Sequence, residues 1–260
     1  MKLYALYCSP TGGTKHILDI LCSEWDCEKI FLNLCEKDFS VSPESTDVFM
    51  IAVPSFGGRV PQFLIPKFSR LHGNNAKAIL ITVYGNRAYE DTLIELKDTV
   101  ESAGFLCFGG AAAVARHSIM PKYGSGRPDK KDMDELKRFS RQCQDMIKKS
   151  SISGNSPASF STAFPGNRPY RPYAVLPIHP AADKTCTGCG LCAEKCPVGA
   201  IRPDNLRKCV KTACISCMQC ISLCSVKARS INAAVLKAAE LKLKKACSER
   251  KPNEFFLPDF

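Results

Sequence analysis

The chain reads as an α/β protein, a doubly wound five-stranded parallel sheet followed by a second, small domain built around cysteines. Three observations predict it. Short apolar runs alternate with helical patterns through the first 150 residues. A Ser/Gly/Pro-rich stretch then breaks the pattern, and nine cysteines crowd between residues 186 and 224. With 260 residues and 45% apolar content, one sizeable core plus a smaller module is the expected yield.

Five strands are predicted at KLYALY (2–7), EKIFLNL (28–34), DVFMIAVP (47–54), KAILITVY (77–84) and CFGGAAAVA (107–115). Helical patterns join them at HILDILCSEW (16–25), QFLIPKFSRL (62–71) and YEDTLIELKDTVESAG (89–104). The last puts Leu93, Leu96, Val100 and Ala103 on one face, with Gly104 placed to end it. Residues 130–149 predict one more helix, and none is assigned between the second and third strands. The sheet domain is thus expected over 1–150. A tether rich in Ser, Gly and Pro follows over 151–180, semi-extended and hugging the surface, then the cysteine module over 181–230. A C-terminal helix and tail over 231–260 close the chain, with Val235, Leu236, Ala239, Leu243 and Ala246 toward one side of the helix.

The opening MKLYALYC carries no basic leader and no long apolar run, and nowhere do eighteen apolar residues follow one another. The expectation is a protein without a membrane span in a reducing, cytoplasmic setting, where clustered thiols bind metal instead of pairing. The net charge of +11 is concentrated: between Asp183 and Lys251 there are 14 Lys or Arg against 5 Asp or Glu. No nucleic-acid-binding motif accompanies this charge, so nucleic acid is not an expected partner. An acidic redox protein meeting the basic face is.

The cysteines of CTGCGLCAEKCP (186–197) recur 28 residues later in CISCMQCISLCS (214–225). Two-residue gaps let three thiolates converge on one inorganic cube while the fourth is carried toward another, and Pro197 is expected to start a helix there. Tetrahedral zinc usually takes two separated CxxC pairs, which fits these crowded sets less well. The spacing resembles that of bacterial ferredoxins with two [4Fe-4S] clusters. The resemblance implies one cluster on Cys186, Cys189, Cys192 and Cys224, and the other on Cys214, Cys217, Cys220 and Cys196. The second repeat departs from that family in having Ser225 where proline is expected and in holding an extra Cys209, a candidate substitute ligand.

Directly after the first strand, SPTGGTK (9–15) offers Ser9, Thr11 and Thr14 hydroxyls, with Gly12 and Gly13 freeing backbone amides for a phosphate at a helix start. It lacks the spacing of a Walker loop. PSFGGRVP (54–61) and VYGNRAYED (83–91) follow the third and fourth strands, at the carboxyl edge where such sheets bind ligands. Together with ARHS (115–118) and GRPD (126–129), these loops resemble those of flavodoxins and of the flavodoxin-domain-containing ferredoxins of anaerobes. The resemblance implies strand order 2-1-3-4-5 and FMN held by Ser9, Thr11, Gly12, Gly13, Thr14, Pro54, Ser55, Phe56, Gly57, Gly58, Tyr84, Gly85, Asn86, Arg87 and Tyr89. Phe56 and Tyr84 are the candidate ring contacts. No nucleophile–base pair stands out, and His117 reads as a loop-positioning residue. Electron transfer between clusters and FMN is the expected function. A flavin reductase acting on a small acceptor such as a quinone, or a cluster carrier whose first domain only docks, are the alternatives.

Overall fold

A computed structural model describes residues 1–36, 41–152, 162–174 and 176–258. The first strand, β1 (Leu3–Tyr7), runs into helix α1 (Gly13–Cys22), followed by β2 (Lys29–Asn33) and β3 (Val48–Pro54). A 3₁₀ turn at Gln62–Leu64 and the one-turn helix α2 (Ile65–Phe68) lead to β4 (Lys77–Tyr84), then α3 (Thr92–Ser102), β5 (Leu106–Val114) and α4 (Lys130–Ile152). The helix expected over 62–71 is cut to these two short pieces. Pro66 has no amide to donate and its ring collides with the carbonyl four residues back, so the turn before it tightens. Gly104 ends α3 with φ of +85°, as the sequence predicts.

The five strands are parallel, in the order β2-β1-β3-β4-β5. Helices cover both faces, which is why the central strands read as unbroken apolar runs. On one face Leu6, Phe49, Ile51 and Leu80 pack against Leu64, Phe68, Leu93 and Leu96. On the other, Ala5, Met50, Ile79 and Ile81 meet Ile17, Leu18 and Leu21 of α1 and Phe139 of α4. Phe49 is fully buried between Tyr4, stacked at 4.6 Å, and Phe105, edge-on at 4.8 Å.

Beyond α4 the described residues resume at 162; residues 153–161 of the predicted tether lie outside them. The first described residues are anchored into the sheet domain. Thr162 donates its hydroxyl to Phe108 O at 2.7 Å, and buried Phe164 packs edge-on to Phe256. The cysteine module is closed by a short antiparallel pair, β6 (Ala181–Ala182) with β7 (Arg229–Ser230), and contains two one-turn helices, α5 (Leu191–Glu194) and α6 (Gln219–Ser222). Here one expectation is corrected: Pro197 starts no helix. It stands at the second position of a turn in which Gly199 N donates to Cys196 O at 3.1 Å, a place that suits its fixed φ. Ser225 occupies the matching position of the turn closed by Lys227 N on Cys224 O, so the turn forms without proline.

Helix α7 (Ala233–Cys247) is capped by the Asn232 side chain, which accepts the amides of Ala234 and Val235. Its packed face holds Leu236, Ala239, Leu243 and Cys247, while Val235 and Ala246 are exposed. The predicted face is therefore turned, because α7 packs against Ile119, Met120 and Tyr123 of the sheet domain as well as Met218 of the module. After α7 the chain returns as β8 (Glu254–Phe256), antiparallel to β5, and makes the sheet six-stranded. Three residues are too few for sequence periodicity to announce a strand.

Candidate functional site

The carboxyl ends of β1, β3 and β4 face a cleft of about 320 Å³, within the size range of cofactor sites. Thr11, Gly13, Thr14, Pro54, Ser55, Phe56, Gly57, Tyr84, Gly85 and Arg87 line it, ten of the fifteen residues expected there. Gly12 takes φ of +89° ahead of α1, and the Ser9 hydroxyl accepts the Lys15 amide at 2.9 Å, so these two residues shape the turn from behind. The amides of Gly13 and Thr14 open α1 and have no partner among the described residues. Buried Thr14 and half-buried Phe56 complete this side.

Gly58 sits behind the cleft at φ of +85°, and a Cβ there would fall 1.8 Å from Glu90 Oε2. Gly85 approaches His117 so closely that a Cβ would lie 2.8 Å from its ring. His117 Nδ1 accepts the amides of Ile119 and Met120 at 3.1 and 3.2 Å, holding the loop after β5 in place. Burial, with a smaller push from the Arg87 charge, lowers His117 to about 4.

Three expected ligands turn out to be engaged elsewhere or shared. Asn86 donates to Cys247 O and Glu249 O at 2.7 and 2.8 Å and accepts the Lys251 amide, so its side chain secures the tail. The Tyr89 hydroxyl donates to Glu254 at 2.7 Å, and neither residue is among those lining the cleft. Tyr84 does line it, but its ring packs on Tyr89 and its hydroxyl donates to Pro252 O. The sequence carried no mark of the tail's return, which separates these partners by some 160 positions.

The part of the cleft that sequence reasoning missed comes from the tether. Arg171, Tyr173, Ala174 and Leu176 line it. Asp91 holds this strap by accepting the amides of Asn167 and Arg171 at 2.9 and 2.7 Å, and Asp98 grips Arg168 at 2.8 Å. Arg171 also pairs with Glu90, which receives a bidentate grip from Arg87. Burial pushes the Glu90 and Asp91 carboxyls up, but the guanidinium groups and backbone amides facing them outweigh it and hold both below the ordinary range. Asp98 is held down first by Arg168.

The remaining wall comes from the cysteine module and α7: Ile215, Ser216 and Leu243. Ile215 and Ser216 lie between Cys214 and Cys217. Ser216 is buried and its hydroxyl reaches Leu176 O and Ile178 O at 2.7 and 2.8 Å. Ser222 of α6 donates to Pro10 O at 3.1 Å, beside the turn that opens α1. The second cysteine repeat is thus stitched to the cleft from both sides.

The eight repeat cysteines sort into two further pockets. Cys186, Cys189, Cys192 and Cys224 line one. Cys196, Cys214, Cys217 and Cys220 line the other, together with Cys209 and with apolar walls from Val198, Ala200, Ile201 and Met218. Burial pushes Cys217 up to about 12 and Cys220 up to about 11, so these thiols ionise only against a compensating positive centre such as iron. Their donor set and apolar lining fit an iron–sulfur cluster. Cys209 is pushed up to about 11 by burial and then by Cys214. Its sulfur, that of Cys214 and a His179 ring nitrogen lie within 4.8 Å of one another.

The sheet order and the carboxyl-edge cleft define a flavodoxin-like domain, here joined to a 4Fe-4S motif. The family described as 4Fe-4S binding domain matches residues 183–202, which span the first repeat. Among solved structures, the chain is similar to a flavodoxin of Streptococcus pneumoniae TIGR4 at 13% identity and TM-score 0.42, over 56% of this chain and 99% of that one. A flavodoxin from the domain Archaea matches at 14% identity and TM-score 0.41, over 57% and 99%. Flavodoxin 1 of Bacillus cereus matches at 14% and 0.40, over 56% and 98%. No curated protein matches the chain. Among the described residues no helix is long and apolar enough to cross a membrane.

Proposed function

We propose that the chain transfers electrons between two [4Fe-4S] clusters and an FMN, joining one-electron and two-electron partners. One observation carries this reading: Ile215 and Ser216, which separate two cysteines of the second repeat, form a wall of the same cleft as Thr11, Thr14 and Phe56. Bound there, the clusters supply one-electron chemistry and FMN supplies one- or two-electron chemistry.

In this reading Cys186, Cys189, Cys192 and Cys224 hold one cluster, and Cys214, Cys217, Cys220 and Cys196 the other. The grouping of thiols around two pockets supports the crossed sets. Thr11, Gly13 and Thr14 bind the FMN phosphate with hydroxyls and helix-start amides. Phe56 and Tyr173 flank the ring, and Arg87 and Arg171 add positive charge where the cleft meets the strap. Glu90 keeps both arginines oriented.

The first-repeat pocket serves the outside partner. Cys189 is exposed there, whereas Cys217, its counterpart 28 residues on, is buried. The excess of Lys and Arg over residues 183–251 favours an acidic redox protein. Iron, sulfide and flavin counts on anaerobically purified protein test the reading: eight irons and one FMN per chain are expected, and a flavin-free protein that retains its clusters would leave the sheet domain as a docking module. Association with an acidic partner should slow as salt rises; a flat response would move docking to the sheet domain.

A further inference from the structure

Outside the two repeats most cysteines are shut in the core. Cys22, Cys107 and Cys143 are buried, and burial raises each of them. Cys8 and Cys35 differ. Cys8 follows β1 and Cys35 lies two residues beyond the end of β2. The parallel pairing of these strands, continued by Leu34 N on Tyr7 O at 2.7 Å, brings the two Sγ atoms within 3.2 Å. A disulfide bond is about 2.05 Å long, so the sulfurs need approach by little more than an ångström, within reach of side-chain rotation.

We propose that Cys8 and Cys35 form a dithiol–disulfide redox site at the root of the turn that opens α1, with Cys35 as the attacking thiol, Cys8 as the resolving thiol and low-molecular-weight disulfides as substrate.

The division of roles follows from the surroundings. Cys8 is fully buried and its amide is tied to Ala52 O at 3.0 Å. Cys35 is half-buried, and its amide is fixed by Asn33 Oδ1 at 3.0 Å. Lys67 donates to Leu34 O at 2.8 Å and also to Glu36 O, the two carbonyls flanking Cys35, which sets an ammonium beside the sulfur. Of the cysteines outside the two repeats Cys35 alone is drawn below the ordinary thiol range, first by the hydrogen bond from Cys8, against burial, and further by the Ser9 amide and Lys67. Burial drives Cys8 well above it. A half-buried thiol whose ionisation is eased, backed by a fully buried one 3.2 Å away, is the arrangement thiol–disulfide exchange requires.

The step balances as follows. The Cys35 thiolate attacks one sulfur of the substrate RSSR, forming a Cys35–SR mixed disulfide and releasing RS⁻. Cys8 then loses its proton and attacks the Cys35 sulfur, forming the Cys8–Cys35 bond and releasing a second RS⁻. The two cysteines together give up two electrons and two protons, and RSSR is reduced to two RSH. Ser9, whose amide faces the Cys35 sulfur, is the first residue of the turn that leads into α1, so the bridge forms at the base of the cleft wall.

The test treats the full chain anaerobically with oxidised glutathione, blocks remaining thiols and maps the peptides by mass spectrometry. The wild-type protein should yield a Cys8–Cys35 linked pair lighter by two hydrogens, reversed by dithiothreitol. Cys8→Ser should instead trap one glutathione on Cys35, and Cys35→Ser should leave Cys8 unmodified. An unlinked wild-type pair overturns the proposal, and so does a Cys35 that stays free of glutathione in Cys8→Ser; the sulfur contact is then a hydrogen bond alone. The wild-type mapping needs no variant to fold, and it holds whether or not flavin and clusters are bound.

Discussion

In the first cysteine repeat Gly188, Gly190 and Gly199 take left-handed backbone conformations, with φ of 76°, 78° and 63°; in the second, Ser216, Met218 and Lys227 take them at the same 28-residue offset, with φ of 54°, 65° and 54°. The fold of the loop is therefore repeated where the glycines are not. An L-residue in this region costs roughly 1–2 kcal/mol. Two of the three side chains show what offsets the cost. The Ser216 hydroxyl bonds two strap carbonyls, and Met218 is buried in the cluster that joins the module to Ile119, Met120 and Tyr123. Lys227 is exposed, and among the described residues no bond of its side chain explains it. The difference teaches that one repeat keeps the bare loop and faces solvent, while the other carries side chains that dock it on the cleft.

The hardest break in this comparison is Cys224→Ala. If the thiols are crossed as proposed, the cluster of the solvent-facing first repeat loses its fourth thiolate although the lesion lies in the second. Electron paramagnetic resonance on the reduced variant should match that of Cys186→Ala. A match to Cys214→Ala would mean that each repeat keeps its own cube.

Met218→Ala comes next. It opens a cavity where the second repeat meets the sheet domain and should cost about 2–5 kcal/mol in denaturant unfolding. Val226, exposed in the same repeat, should lose less than about 1 kcal/mol when changed to Ala.

Acid should loosen the docked side before the exposed one. His117 is held near 4 in the folded chain against about 6.5 unfolded. Between these values the unfolded state takes up a proton that the folded state refuses, so stability falls as pH drops from about 6.5 and the loss is complete near 4, at up to about 3 kcal/mol. Glu90, Asp91 and Asp98 are held low, so their contribution is present above the ordinary carboxylate range and disappears as pH falls through their depressed values. Thermal melts across this range should show the decline, and His117→Gln should flatten its upper part.

The smallest effect sharpens the comparison from the other side. Lys227→Gly restores the residue of the first repeat at a position whose side chain makes no bond offsetting the strain among the described residues. A gain of about 0.5–1 kcal/mol is expected, since relief of the left-handed strain exceeds the extra chain entropy of glycine in the unfolded state. Equal or lower stability on thermal unfolding would show that Lys227 contributes something the backbone does not reveal.

The sheet, its flanking helices and the three loops at its carboxyl edge were legible in the sequence because each rests on local information: runs of apolar residues such as those of β3 and β4, a glycine before α1, a proline within 62–71. The 28-residue offset between the two runs of cysteines is likewise visible without coordinates. Tertiary structure alone decided the rest. The face that α7 buries depends on two neighbours at once, Met218 and the loop after β5. Asn86 and Tyr89 read as cleft ligands by their place after β4, but they serve a tail that returns from more than 160 residues away. Arg171 and Tyr173 reach the cleft only because Asp91 and Asp98 hold the strap. Periodicity and turn chemistry report what a residue does with its near neighbours in the chain. Which distant side chain satisfies a buried amide or carboxylate is chosen only when the chain folds back, because many polar residues could supply the same bond.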